Sequence, residues 1–172
     1  VTGVQTCALP ICALYEQSLA LRRELGDRWA IANSLNNLGL VLQDLGESAA
    51  ARAMLEESLG LNRVIGDRWS IANCLSSLGD LTRDAGDLAA SRRFLTESLE
   101  INRDLGDRRA IAFLFEYFSS LAALERKPER ALTLAAAAAA LRAALGAPLS
   151  PAEQKKLDEI LDRKSTRLNS SH

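Results

Sequence analysis

From residue 28 onward, apolar residues return at intervals of three and four. Ile31, Leu35, Leu38, Leu42 and Leu45 keep that spacing, which lines them up along one side of a helix with about 3.6 residues per turn. After Gly46-Glu47-Ser48 a second stripe starts, carried by Ala51, Leu55 and Leu59 with Met54, Leu61 and Ile65 beside them. Continued along the chain, the pattern predicts helices over 12–25, 28–45, 48–65, 68–85, 88–105, 108–125, 128–145 and 151–161. The residues between the stripes agree. Gly66 and Gly106 stand where a helix ends in a left-handed residue, and Asp67 and Asp107 are placed to cap the first amides of the next helix. Between residues 124 and 128 the expected glycine is missing, but Lys127-Pro128-Glu129 puts proline at a first helical position, so a break persists.

The helices repeat as pairs. Gly26-Asp27-Arg28-Trp29 recurs as Gly66-Asp67-Arg68-Trp69 and as Gly106-Asp107-Arg108-Arg109, with Gly146 one period further. Residues 26–65 and 66–105 share 21 identities in 40 ungapped positions, more than common helical composition explains. Residues 13–25 match the second half of a repeat, so the array starts in mid-repeat and continues as 26–65, 66–105 and 106–145. Such pairs bury their apolar sides only by stacking on their neighbours.

The residues resemble the tetratricopeptide repeat family. Its pattern of a large residue, Leu-Gly, a large residue, then Ala and another large residue is met by Leu35, Leu38-Gly39, Leu42, Ala51 and Leu55. The next repeat offers Leu75, Leu78-Gly79, Ser91 and Leu95, with Thr82 departing from the large type. In the third, Phe115, Phe118 and Ala131 hold while Ser119 replaces the glycine. The resemblance covers 12–147 and implies an all-α, right-handed superhelical solenoid of antiparallel helix pairs. The 40-residue wording is similar to arrays in bacterial LuxR-type and SARP-type regulators, signalling ATPases and cyclases, and residues 146–161 resemble the segment that closes such arrays. On this reading 148–161 begins a truncated C-terminal helix.

Both ends read differently. Residues 1–11, VTGVQTCALPI, back-translate to a DNA string whose reverse complement encodes DRKSTRLNSSH, which is residues 162–172. That DNA resembles a short-read sequencing adapter translated at both ends of an insert, so 1–11 and 162–172 are expected to be disordered and the rest to be a piece of a longer bacterial gene product. Setting the ends aside removes Cys7 and His172, and with them any cysteine pairing or lipoprotein reading. It leaves 18 basic and 21 acidic residues. That balance supplies no electrostatic reason to expect nucleic acid or an acidic membrane surface as partner. The longest uncharged run left, Trp29–Gln43, is interrupted by Asn and Ser and falls short of the roughly 20 apolar residues of a spanning helix. A cytoplasmic location is expected.

Catalysis finds little material in such a composition. Without histidine or a cysteine pair, the commonest general base and the commonest metal ligands are gone. Glu56-Glu57, Glu97 and Glu100 read as solvated or arginine-paired surface carboxylates, and no glycine run has the spacing of a phosphate loop. The chain is therefore expected to be non-enzymatic, with no cofactor and no metal.

A binding function has positive content, carried by the family register. First helices of stacked pairs line the inner, concave side. In that register Asn33, Asn36, Asn37, Leu40, Gln43 and Asp44, then Asn73, Ser76, Ser77, Asp80, Arg83 and Asp84, face the groove. Asparagine both donates and accepts, so a row of Asn and Ser suits the main chain of an extended peptide, with Arg83 adding charge selection. The same residues also suit an ordinary solvated surface. Phe113 and Tyr117 in the third repeat either anchor a ligand or seal against the next repeat, sealing being favoured. The expected partner is a protein or peptide; the runner-up reading is a sensor segment that biases an effector domain, and self-association is a third. Trp29 and Trp69 are expected in the core between repeats. Arg28, Arg68 and Arg108 are expected to pair with carboxylates such as Glu57 and Glu97. Cys74 is read as a packing residue.

Overall fold

The computed structural model describes residues 2–147 and residue 155, and the side chains from residue 13 onward within that set. The described chain is helical: α1 (Thr2–Leu25), α2 (Arg28–Asp44), α3 (Ser48–Ile65), α4 (Arg68–Asp84), α5 (Leu88–Leu105), α6 (Arg108–Leu124) and α7 (Pro128–Ala144). From α2 to α7 each helix begins at the residue that the periodicity predicts and ends within one residue of it. α1 differs. It extends back to Thr2 through residues 2–11, where the sequence argues for disorder, because a helix already nucleated over 12–25 elongates at far lower cost than it starts. The expectations for 148–161 and 162–172 lie outside the described residues, residue 155 apart.

Local chemistry sets the boundaries. Asp27, Asp67, Asp87 and Asp107 each accept, through Oδ1, the backbone N–H three residues on, at 2.9–3.0 Å. Gly66 and Gly106 close α3 and α5 with φ of 81° and 70°, a region that costs glycine nothing. The missing glycine of the third repeat is replaced by Arg126, which takes the left-handed conformation itself, φ 60°, before Pro128 opens α7.

The chain forms two compact bodies, Val1–Leu81 and Thr82–His172, with α4 running across the division. In the first, α1 packs on α2 and α2 on α3, around buried Leu19, Ile31 and Leu35 with Met54 and Leu61 against them. In the second, α5 packs on α6 and α6 on α7, around Leu95, Leu114 and Leu121; Ala122, Ala123 and Ala131 make the close α6–α7 seam. The fold class is all-α, antiparallel helix pairs repeated as in helical solenoids.

Two packing expectations are corrected. Trp29 and Trp69 are not core residues: they are 56% and 58% exposed. Each stands two residues before the buried stripe of its helix, about 200° around the axis, and so points away from it. The Trp29 indole is among the groups that hold the Asp67 carboxyl below its ordinary value. Of the carboxylates expected to hold the helix-start arginines, Glu57 takes Arg23 instead, at 2.7 Å, while Arg68 and Glu97 are each engaged.

Candidate functional site

The residues expected on the inner face stand, in the first body, on α2 and α4, and two hydrogen bonds join these helices. The Gln43 amide Nε2 donates to Asp80 Oδ2 at 2.9 Å, and the Cys74 thiol donates to Asn36 Oδ1 at 3.4 Å. Asn33 is exposed, whereas Asn36, Asn37, Asn73, Ser76, Ser77 and Asp80 are half-buried. The serine hydroxyls turn back on their own helix, Ser76 Oγ donating to the Ala72 carbonyl and Ser77 Oγ to that of Asn73. The amides of Asn33, Asn37 and Asn73 make no side-chain hydrogen bond among the described residues. Donors and acceptors in this row are therefore carried by asparagines more than by the serines.

Behind the row lies a buried polar cluster that sequence reasoning missed. Ser58 Oγ donates to the Ala32 carbonyl at 2.7 Å. The Asn62 amide donates to Ser58 Oγ at 3.3 Å and to Cys74 Sγ at 3.7 Å. Burial pushes the Cys74 thiol above its ordinary range, so it stays protonated and can donate. Cys74 is the buried packing residue that its position implied, and its proton is also the link to Asn36. The signal in the sequence was the polar run Ser58, Asn62 and Cys74 at positions that the helical period assigns to the core.

The remaining candidates belong to the second body and are engaged there. Arg83 is bound to Asp84 at 2.7 Å and lies 5.9 Å from the Tyr117 ring centroid. Tyr117 packs on the Leu95–Leu114–Leu121 core. Phe113 is partly open, but the Arg142 guanidinium sits 4.1 Å from its centroid. Arg142, only 8% exposed at its side chain, grips Glu116 in a two-armed ion pair, Nε to Oε1 and Nη2 to Oε2, the latter at 3.0 Å. Arg142 was also missed by sequence reasoning. It is the one long charged side chain between Leu132 and Leu145, in an otherwise alanine- and leucine-rich helix.

Among the described residues there is no cluster of three or more His, Cys, Asp or Glu side chains able to hold a metal ion, and no helix long and apolar enough to cross a membrane. Repeated antiparallel pairs with a polar row on their first helices define a protein of the helical-repeat class. The tetratricopeptide repeat profile matches residues 11–63 and 31–104, together more than half of the chain, and the chain belongs to that family. A search of curated proteins returned no match.

Proposed function

We propose that this chain is a non-catalytic interaction scaffold that holds the main chain of an extended peptide or protein segment against the α2/α4 face. The observation that carries the reading is the row Asn33, Asn37 and Asn73, exposed or half-buried, whose amides are unspent on other side chains among the described residues. Each amide offers donors and an acceptor, the two things a peptide backbone needs, and neither depends on the identity of the bound side chains. The family supports the class of partner, since tetratricopeptide arrays generally mediate protein and peptide contacts. The working segment in this reading is the array 12–147, and the adapter-like ends take no part. The GDRW wording of the repeats adds the finer reading of a bacterial regulatory protein, in which occupancy of the face biases an effector domain.

The experiment is a screen of N-acetylated, C-amidated nonapeptides against the full chain, followed by titration of the binders. Asn37→Ala and Asn73→Ala should each weaken the binders several-fold, and Glu47→Gln, on the exposed turn between α2 and α3, should leave them unchanged. Binders indifferent to both asparagine changes, or no binders at all, would refute the proposal.

A further inference from the structure

We propose that Cys74 is a positioning residue for the peptide-binding face: its buried thiol holds the Asn36 carboxamide with oxygen inward, so that this point of the face presents N–H donors and selects a ligand carbonyl. The inference rests on the reading of the α2/α4 face given above and names what one position of it recognises.

The direction of the hydrogen bonds carries the argument. Ser58 has one hydroxyl proton, and it goes to the Ala32 carbonyl. The same oxygen accepts from Asn62, and so does Cys74 Sγ. Sulfur is thus already an acceptor, and its own proton needs a destination. Two oxygens lie in reach, Ser58 Oγ at 3.2 Å and Asn36 Oδ1 at 3.4 Å. The amide carbonyl is the stronger acceptor, and the hydroxyl is already engaged as donor and acceptor. A flipped Asn36 would aim N–H at a sulfur that Asn62 already serves and would leave Oδ1 without the thiol proton. With Oδ1 turned to the thiol, Nδ2 occupies the other arm of the planar amide, away from Cys74.

A second observation in the other body supports a positional device and not an accident of one cysteine. Eighty residues after Asn62 and Asn36 stand Arg142 and Glu116, and these are joined directly by the two-armed ion pair. At both places a buried polar residue from the last turn of a second helix fixes the inner-face residue of a first helix. In the first body the link runs amide to thiol to amide; in the second it is guanidinium to carboxylate.

The test has two arms on the full chain. Without ligand, NMR of the Asn36 side-chain amide reports its orientation and order. Cys74→Ala should lower the order parameter of the Asn36 Nδ2 group, and Cys74→Ser, which keeps a donor, should restore it. Cys74→Val, which fills the space without a donor, stands in if the alanine variant does not fold. With ligand, the probe is the tightest capped nonapeptide of the screen. Cys74→Ala should weaken it roughly three- to tenfold, the worth of one hydrogen bond, with recovery in Cys74→Ser. An Asn36 amide equally ordered in all variants overturns the proposal. A changed order parameter with no peptide binding in any chain overturns the reading of the face and leaves the orientation standing.

Discussion

Gly39 offers the sharpest test of how these helix pairs are fitted together. A Cβ added there would lie 2.8 Å from Leu55 Cγ, 3.0 Å from Leu55 Cδ2 and 3.3 Å from the Ala51 carbonyl oxygen. Leu55 is fully buried, and its nearest atom is the branch carbon, not a free end, so it cannot swing aside. Overpacking of this kind costs about 1–3 kcal/mol, while replacing a mid-helix glycine by alanine returns about 1 kcal/mol of helix propensity. Gly39→Ala should therefore destabilise the chain by about 1 kcal/mol. In a Leu55→Ala background, itself about 2–5 kcal/mol less stable, the clash is gone and the same substitution should stabilise by about 1 kcal/mol. The sign reverses, with a coupling of about 2 kcal/mol between two residues 16 apart in sequence. The third repeat already contains such an exchange. Eighty residues on, Ser119 stands for the glycine and Ala135 for the leucine, and buried Ser119 Oγ donates to the Ala131 carbonyl at 2.8 Å. Urea unfolding followed by far-ultraviolet circular dichroism on the four chains gives the cycle. If Gly39→Ala stabilises equally in both backgrounds, the contact with Leu55 does not govern the seam and the argument fails.

Arg126→Gly should raise stability by roughly 1 kcal/mol, since the left-handed backbone is strained for any residue with a Cβ; a lowered urea midpoint would contradict this. Arg142→Met should cost about 3 kcal/mol by stranding Glu116, and Glu116→Gln in the same chain should recover much of the loss, as thermal unfolding of the single and double variants will show. The Asp67 carboxyl is held below its ordinary value, chiefly by the Ser70 backbone N–H and further by the Ser70 hydroxyl and the Trp29 indole, against the opposing effect of burial. Its charged form is the one that folding favours, so the stability it contributes is present above the ordinary carboxylate range and is lost as pH falls through the lowered value. Asp67→Asn keeps the cap, and its stability deficit relative to the parent should shrink as pH falls through and below the ordinary carboxylate range, measured as urea midpoints at each pH. Acrylamide should quench most of the tryptophan fluorescence of the native chain; protected emission would place Trp29 and Trp69 back in the core.

The repeat, the helix limits, the caps and the buried stripe were legible in the residues alone. Each depends on chemistry within about four positions: the recurrence of Ile31, Leu35 and Leu38, the reach of Asp27 or Asp107 to an amide three residues on, the freedom of Gly66 to turn left-handed. The asparagine row could be placed on one side of a helix by the same arithmetic. What covers that side, and what stands behind it, could not. The pairing of Arg142 with Glu116, the handing of the Cys74 proton to Asn36 and the fit of Gly39 against Leu55 join residues 16 to 38 apart. Hydropathy ranks tryptophan as a core residue, yet Trp29 and Trp69 are left in solvent because the helix turns them away from the seam. Such outcomes depend on which helix lies alongside and at what depth, and only packing in three dimensions decides that.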